Sequence, residues 1–458
     1  MEKILRSASS PGAVQVIGIG NAYDAMDPVV PEKMEPLFLA DHIHLSQKAL
    51  YWQTPYGQPS VVLCRGPVRQ DLLETAARFG VLSAVPSVLS VPLCTSSVCE
   101  DFLNDDGLKE ALLCVLAKTR PVHAACFVQT PRSDRFVRWL QAEGFEVVGW
   151  DEKQAEISGR LGDKAYTEDH IFSKDPSLAA LRPASRTTAD AQGIPALLAQ
   201  FHAEGIPRAV LKSGRGAGGS GVFFLDTAGG GTREGLERQL VAVGDNLPCM
   251  EPPFIVEELI ESTVSPTVDL FIHPEGDVRL VGAACQRLAD RRYYSGVHFS
   301  PAWAGKRWFK ESAAAAETVG RGLARIGYRG SVNADFVLSK EGRPYLVEIN
   351  ARRSALCDAL GAVTQAFGSP FACAFSAADY VKIPQDGCAL PASSSGTLLI
   401  EDSASATPFR WTGLLVAKDG LTDTEEVIGR AIRSISGLGA DDSLDRDFGD
   451  IGKVGELG

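Results

Sequence analysis

The chain has 458 residues, of which 45 are Lys or Arg and 57 are Asp or Glu, so its formal net charge is −12. This length is too great for one hydrophobic core and favours roughly two to four domains. The negative charge argues against binding to nucleic acid or to an anionic membrane, because both need clustered positive charge. A small-molecule enzyme fits the composition better.

The ten cysteines are scattered without a C-x-x-C pair, and most have apolar neighbours. This pattern indicates reduced core thiols of a cytoplasmic protein and argues against a zinc site. The N-terminal sequence has no apolar signal region, and no run of about 18 apolar residues occurs in the chain. We therefore expect a cytoplasmic protein that is neither secreted nor anchored in a membrane.

The first third of the chain alternates predicted strands with predicted helices. The apolar residues 14–19 predict a buried strand, which ends at Gly20-Asn21. After a long irregular segment follow a strand at 61–64, helices at 69–79 and 108–117, a strand at 123–128, a helix at 133–143 and a strand at 146–150. This alternation indicates a parallel sheet covered by helices. The pair Gly18-x-Gly20 lacks the third glycine of the dinucleotide fingerprint, so a structural turn is the favoured interpretation.

Residues 151–169 are polar and predict a linker, which places a domain boundary near residue 165. Beyond it, hairpins replace the alternating pattern. The predicted helices are a stretch headed by Ser173-Lys174 and ending at 181, and the segments 194–204, 233–243 and 310–326. The predicted strands are 209–212, 222–225, 253–261, 267–272, 278–285, 331–338 and 344–350. After residue 384, strands at 396–400 and 411–417 and a helix at 424–435 precede an acidic tail.

A glycine-rich loop joins the strand that ends at Lys212 to the strand at 222–225. It contains Ser213, Gly214, Gly216, Gly218, Gly219, Ser220 and Gly221. Glycines let successive backbone N–H groups approach an anion closely. The loop therefore predicts a phosphate site, and a surface hairpin without a ligand is the alternative.

Three familiar nucleotide motifs do not fit this loop. The dinucleotide fingerprint would be satisfied by Gly214-x-Gly216-x-x-Gly219, but it must open a helix, and here a strand follows. A Walker loop has its lysine after the last glycine, whereas Lys212 precedes the glycines. A protein kinase would need His-Arg-Asp and Asp-Phe-Gly elements, which the chain lacks. A nucleotide loop of another kind remains.

The predicted hairpin at 331–350 carries polar side chains among apolar ones. Asp335 and Glu348 lie on opposing strands, and Asn350 shares a face with Glu348 by the two-residue period of a strand. Burying carboxylates without a cation is costly, and oxygen ligands select Mg²⁺. The hairpin thus predicts a magnesium site, with a solvated sheet face as the alternative.

The ordered set of these elements, over residues 173–353, resembles the ATP-grasp ligases. The set consists of Lys212 with its glycine loop, Val256-Glu257-Glu258-Leu259-Ile260, Asp335, Glu348-x-Asn350 and Arg352. The resemblance implies an α/β plus α+β fold, in which a parallel α/β pre-ATP-grasp domain at 1–165 precedes an ATP-grasp domain at 166–385. The latter would contain a glycine-rich lid subdomain at about 173–260 and a metal-binding subdomain at about 261–385. A small α/β extension with an acidic tail would follow at 386–458.

The resemblance also implies roles for single residues. Lys212 corresponds to the lysine on the α-phosphate and adenine side of ATP, and Lys174 to an earlier phosphate lysine. The hinge that reads adenine corresponds to Glu257, Glu258, Leu259 and Ile260. The Mg²⁺ ligands correspond to Asp335, Glu348 and Asn350, although many members have Glu at the first of these positions.

Two arginines are the predicted catalytic residues. The resemblance implies that Arg352 corresponds to the family's arginine just past the metal ligands, which is expected to stabilise the oxyanion of an acyl phosphate, where positive charge is effective. Arg287, at the end of a strand, would meet a phosphate or a substrate carboxylate, or is solvated. Two further side chains have two interpretations each. Arg353 contacts the substrate or faces water. His298 acts as a base or has a structural role, and the structural role is the more common one for a lone histidine.

The implied reaction is amide formation from a small-molecule carboxylic acid and an amine or peptide, with ATP and Mg²⁺ as cofactors. The arrangement is most similar to the pheganomycin-type peptide ligases of antibiotic biosynthesis, which join an unusual amino acid to the amine of a peptide. A carboxylase that activates bicarbonate and a non-catalytic nucleotide-binding module are the alternatives. A homodimer is the default expectation for the assembly.

Overall fold

The computed structural model describes residues 14–25, 35–214, 221–242, 252–262, 264–289, 293–382, 397–402 and 411–418. Its strands are β1 Gln15–Ile19, β2 Val61–Arg65, β3 Ser87–Val91, β4 Val122–Cys126, β5 Ser185–Thr188, β6 Arg208–Ser213, β7 Val222–Asp226, β8 Phe254–Glu258, β9 Pro266–Ile272, β10 Val278–Ala289, β11 Tyr293–Phe299, β12 Gly330–Leu338, β13 Pro344–Asn350, β14 Ala374–Lys382, β15 Thr397–Asp402 and β16 Trp411–Lys418. Its helices are α1 Glu35–Gln47, α2 Gln70–Arg78, α3 Val98–Leu103, α4 Asp106–Val115, α5 Pro131–Ala142, α6 Lys153–Leu161, α7 Lys164–Thr167, α8 Pro176–Ala179, α9 Ile194–Ala203, α10 Thr227–Gly230, α11 Arg233–Ala242, α12 Arg307–Arg325 and α13 Cys357–Phe367.

The described residues form two compact units. The first takes those up to Ser158, the segment Ser295–Ala304 and those from Arg352 onward, and the second takes those of Gly159–Tyr294 and Gly305–Ala351. No helix in the described ranges is long and apolar enough to cross a bilayer. The division into three consecutive domains stays a prediction.

The first unit contains the predicted parallel sheet. Its strands lie in the order β3-β2-β1-β4 and all pair in parallel. Strand residues such as Ile17 and Leu63 are fully buried, as expected for a sheet covered on both faces. Phe102 of α3 and Phe136 of α5 cover it, with ring centroids 5.3 Å apart. This unit also contains antiparallel strands in the order β11-β14-β16-β15.

The second unit is built from antiparallel strands and helices, as predicted. One sheet has the order β5-β8-β6-β7, and α9 packs on it through Ile194, Leu198 and Phe201. The other strands lie in the order β13-β12-β9-β10 and are covered by α12. At Gly320 of α12 an added Cβ would lie 2.5 Å from Val278 Cγ1, so a glycine allows the helix to approach the sheet closely.

Three predictions from the first 170 residues are wrong. The segment after β1, predicted to be irregular, contains α1. Residues 146–150 form only an isolated bridge, between Val147 and Val122. The linker predicted at 151–169 is largely helical, since α6 and α7 lie there and bury Leu161 and Ala165. Its polar composition comes from amphipathic helices, whose few apolar residues are sufficient to pack.

The cysteines and the C-terminal extension match their predictions in part. The eight cysteines that the structure describes are all free thiols, and Cys94 and Cys114 are exposed rather than in the core. Burial raises the pKa of the Cys64 thiol to about 12. The predicted strands at 396–400 and 411–417 are present as β15 and β16. The predicted helix at 424–435 and the acidic tail lie outside the described residues.

Candidate functional site

The carboxylates of the β12–β13 hairpin lie directly opposite each other. Asp335 pairs in register with Glu348, and Asn333 pairs with Asn350. A β-bulge between Asp335 and Phe336 gives β13 one extra residue, Val347, next to Glu348. Bulges often lie next to active sites, where they re-aim side chains. The predicted shared face is confirmed, while the metal-binding role of these side chains stays a prediction.

A chain of amide hydrogen bonds fixes Asp335. Gln286 Nε2 donates to Asp335 Oδ1 at 2.7 Å, and Asn350 Nδ2 donates to Asp335 Oδ2 at 3.2 Å. Asn350 Nδ2 also donates to Asn333 Oδ1 at 3.0 Å, and Asn333 in turn donates to Asp269 Oδ1 at 3.0 Å. Sequence reasoning assigned no role to Gln286 and missed Asn333, although both are polar residues on largely apolar strands.

The donor set of this hairpin suits a hard cation. Asp335 and Glu348 supply carboxylate oxygens, and Asn350, whose amide nitrogen is the donor in its two bonds, would present its oxygen. Such oxygen donors fit Mg²⁺. No group of three or more His, Cys, Asp or Glu side chains capable of holding a metal occurs among the described residues, so a three-ligand site here depends on Asn350.

Lys164, which sequence reasoning missed, lies beside this hairpin. Its Nζ is 3.5 Å from Glu348 Oε1, and its backbone N–H donates to the carbonyl of Gly214 at 2.9 Å. Asp163 caps α7 by accepting from two backbone N–H groups, which fixes Lys164 in the first turn. Asp163 and Lys164 lie in the segment that was predicted to be a linker, and for that reason no role was predicted for them from the sequence.

Lys174, the predicted phosphate lysine, is exposed between α7 and α8. Nothing in the described part of the chain joins its side chain to Glu348 or to the glycine loop. Lys164 contacts both, so the geometry favours Lys164 for a role near a phosphate. The role of Lys174 stays a prediction.

Lys212 is held by the strand predicted to be the hinge. Its Nζ donates to Glu257 Oε1 at 2.7 Å and to the carbonyl of Val347 at 3.1 Å. Arg182, a further residue missed by the sequence, donates from Nη2 to Glu257 Oε2 at 2.7 Å. Glu257 is only 1% exposed, so both of its oxygens are neutralised inside the protein.

The rest of the hinge leaves strand β8. Glu258 is its last residue, and the backbone N–H groups of Glu258 and Leu259 donate to the carbonyls of Ala184 and Arg208. Ile260 follows outside the strand. The role of these backbone groups in binding adenine stays a prediction.

The structure describes the two ends of the glycine loop. Gly214 N donates to the carbonyl of Pro253 at 2.7 Å, and an added Cβ at Gly214 would lie 2.6 Å from that oxygen. Gly221 has a φ of +73°, and its carbonyl accepts from the N–H of the buried Ser213 at 2.9 Å. Only glycine fits the first position without displacement, and glycine is favoured at the second. The predicted loop residues Gly216, Gly218, Gly219 and Ser220 lie outside the described residues.

The predicted arginines have separate surroundings. Arg287 is buried and, by the two-residue strand period, faces the other side of β10 from Gln286. Arg352 belongs to the first unit, where its guanidinium carbon lies 5.8 Å from the ring centroid of Phe127. The catalytic roles of both arginines stay predictions.

Arg353 and His298 are buried. Arg353 donates to the carbonyls of Cys126 and Gln53, each at 3.2 Å, and its guanidinium lies 4.9 Å from the ring centroid of Trp52. The expectation that Arg353 could simply face water is therefore wrong, because its guanidinium is packed within the first unit. His298 lies edge-on to Trp303 at 5.0 Å, in agreement with a structural role.

Comparison with known proteins gives one sequence relative and several similar folds. No family model matches the chain. The L-propargylglycine–L-glutamate ligase of Streptantibioticus cattleyicolor is 37% identical over 100 residues, which are 22% of this chain and 20% of that protein. The chain thus aligns with only about a fifth of that relative's length.

Two solved structures share the fold over most of their length. N5-carboxyaminoimidazole ribonucleotide synthetase from Thermus thermophilus has a TM-score of 0.51 and 15% identity, over 94% of this chain and all of that one. The biotin carboxylase domain of 2-oxoglutarate carboxylase from Hydrogenobacter thermophilus, solved as a dimer with MgADP, ADP and bicarbonate, has a TM-score of 0.50 and 15% identity, over 81% and 88% of the chains. These similarities, with the parallel first sheet and the antiparallel sheets that follow it, show that the chain has an ATP-grasp fold, as predicted.

Proposed function

We propose that the protein is an ATP-dependent ligase that joins a small carboxylic acid to an amine through an acyl phosphate. One observation carries the proposal: Lys164 lies 3.5 Å from Glu348 and is bonded through its backbone to the start of the glycine loop. A cation, a carboxylate pair and the first glycine of the loop therefore lie close together in the second unit. Such a combination of groups can bind a nucleoside triphosphate together with a divalent metal ion.

Different residues of the second unit would bind the metal and the phosphates of ATP. Asp335, Glu348 and Asn350 would hold Mg²⁺, which supplies neutralisation of phosphate charge. Lys212 and Lys164 would bind phosphate oxygens, and the glycine loop would close over them and exclude water. Exclusion of water matters because an acyl phosphate hydrolyses readily.

The proposed reaction has two steps. A carboxylate oxygen of the substrate attacks the γ-phosphorus and displaces ADP. A neutral amine then attacks the acyl carbon, and phosphate leaves with the carboxylate oxygen that it gained and with the proton that the amine nitrogen loses, as hydrogen phosphate. Arg352 is the proposed stabiliser of the oxyanion in the second step. An amine that arrives neutral needs little help from a protein base.

The identity of the amine is proposed from the sequence relative. That relative is named as a ligase of two amino acids, which supports an amino acid as the acid and an amino acid or peptide as the amine. A role in the biosynthesis of a peptide natural product, predicted from the sequence resemblance, is part of the same proposal. The fold neighbour solved with bicarbonate favours the carboxylase as the second candidate.

The same neighbour was solved as a dimer, so a homodimer is the proposed assembly of this protein. Its proposed location is the cytoplasm.

The test is incubation with Mg-ATP, a panel of amino acids and short peptides, and mass spectrometry of the products. The ligase predicts ADP and a condensed product only when both acid and amine are present. ADP formation that requires bicarbonate but no amine would identify a carboxylase. Nucleotide binding without turnover across the panel would identify a binding module, and AMP in place of ADP would exclude an acyl phosphate.

A further inference from the structure

The carboxylate of Glu257 is shared by two cations. Lys212 donates to Oε1 and Arg182 donates to Oε2, each at 2.7 Å. The side chains of Glu257, Arg182 and Lys212 are 2%, 6% and 10% exposed. The three charges therefore lie in an environment where an unpaired carboxylate would be costly.

Both cations also bind the backbone of β13 next to the carboxylate hairpin. Lys212 donates to the carbonyl of Val347 at 3.1 Å, and Arg182 Nη1 donates to the carbonyl of Leu346. Leu346 N returns a bond to the carbonyl of Leu181 at 2.9 Å. The carbonyls of Leu346 and Val347 belong to the two residues just before Glu348. Lys212 and Arg182 therefore connect Glu257 of β8 to the proposed metal site.

Arg182 has further contacts that hold it in place. Its Nη2 donates to Glu168 Oε2 at 2.6 Å, and its guanidinium carbon lies 4.4 Å from the ring centroid of Phe172. Lys212 has a flexible four-carbon side chain, whereas the planar guanidinium of Arg182 is fixed on several sides. Of the two partners of Glu257, Lys212 is the one suited to move.

We propose that Arg182 is a positioning residue that keeps Glu257 paired, so that Lys212 can exchange Glu257 for a phosphate oxygen of the nucleotide. This inference rests on the proposed ATP site. If Lys212 were the sole partner of Glu257, its transfer to a phosphate would leave a buried carboxylate alone. That cost would be subtracted from the nucleotide's binding free energy.

The test measures the Kd for Mg-ADP by calorimetry in the wild type, three variants and one control variant. Arg182→Met should bind at least about tenfold more weakly than the wild type, since each ~1.4 kcal/mol changes Kd tenfold. Adding Glu257→Gln to Arg182→Met should restore most of the affinity, because the carboxylate that retains Lys212 is gone. Arg182→Lys should bind more tightly than Arg182→Met, because a charge remains beside Glu257, but more weakly than the wild type, because the fixed planar guanidinium is lost.

Arg186→Met is the matched control. Arg186 lies on β5, in the same sheet as Glu257 and Lys212. Its guanidinium carbon is 4.7 Å from the ring centroid of Phe201, and its guanidinium donates to the exposed Glu204. Its loss should change Kd by no more than about twofold, as expected for an exposed pair.

Two results would overturn the inference while leaving the proposed function intact. One is wild-type affinity in Arg182→Met. The other is a double variant that binds as weakly as Arg182→Met, which would mean that Arg182 only supports the fold. A wild-type protein that does not bind Mg-ADP would contradict the proposed function itself, and the inference with it.

Discussion

Asp335 on β12 lies directly across the hairpin from Glu348 on β13, and Lys164 Nζ lies 3.5 Å from the Glu348 carboxylate. Two carboxylates in register would repel each other without a cation to share. The neighbouring lysine balances part of that charge in the free protein. A divalent cation with nucleotide phosphates would then complete the balance.

Glu348→Gln should lower kcat for Mg-ATP turnover by two or more orders of magnitude, because loss of a metal ligand removes several kcal/mol of charge stabilisation at ~1.4 kcal/mol per tenfold. The fold should be unchanged, since the side chain is partly exposed and isosteric. Glu341→Gln, in the exposed turn of the same hairpin, is the control and should be fully active. Turnover retained in Glu348→Gln would remove the metal assignment.

Lys164→Met and Lys174→Met distinguish the two candidate phosphate lysines. We expect Lys164→Met to lower kcat/KM for ATP at least about tenfold, because the variant loses one charge-assisted hydrogen bond, which contributes ~1.5–3 kcal/mol. Lys174→Met should resemble the wild type, because its side chain is exposed. Steady-state kinetics with varied ATP gives both values, and the reverse order would restore the sequence-based assignment to Lys174.

Gln286→Leu removes the bond that orients Asp335 without touching a proposed ligand. The Mg²⁺ concentration for half-maximal activity should rise about tenfold, as is common when a partner of a metal ligand is lost. Saturating Mg²⁺ should restore most of kcat. A variant with unchanged Mg²⁺ dependence would show that Gln286 does not position a metal ligand.

Asp24, after β1, gives the fold a pH dependence. Burial raises the pKa of this carboxyl from 3.8 to about 6, against hydrogen bonds from Ser97, Asn21 and Thr130 that lower it. A raised pKa favours the protonated folded state, so its contribution to stability is complete below pH 3.8 and is lost as the pH rises through 6.

Asp24→Asn should therefore become more stable relative to the wild type between pH 4 and pH 7, by up to roughly 3 kcal/mol at ~1.4 kcal/mol per pKa unit. Urea unfolding at several pH values measures the difference. A difference between the two proteins that does not change with pH would show that the pKa of Asp24 is not raised.

Local patterns in the sequence were sufficient for part of the site. The shared face of Asp335, Glu348 and Asn350 follows from the two-residue period of strands, and the Lys212 loop from its glycines. Each of these signals lies within one hairpin. Most strands and helices of the second unit were predicted for the same reason, whereas the short elements β5, α7 and α10 were not.

The contacts of Lys164, Arg182 and Arg353 could not be predicted in that way. Lys164 reaches Glu348, and Arg182 reaches Glu257, only after distant segments pack together. Lys164 also stood in a polar segment, whose composition resembles a linker when its few buried residues are not known. Arg353 was ambiguous because its carbonyl partners belong to residues near 53 and 126.

The central claim is that the substrate carboxylate is activated by phosphorylation. Its most direct test uses an acid from an active pair, labelled with ¹⁸O in both carboxylate oxygens, with mass spectrometry of the released phosphate. The account predicts one ¹⁸O in the phosphate and one in the amide, with ADP as the other product. Label in AMP, or phosphate without label, would contradict it.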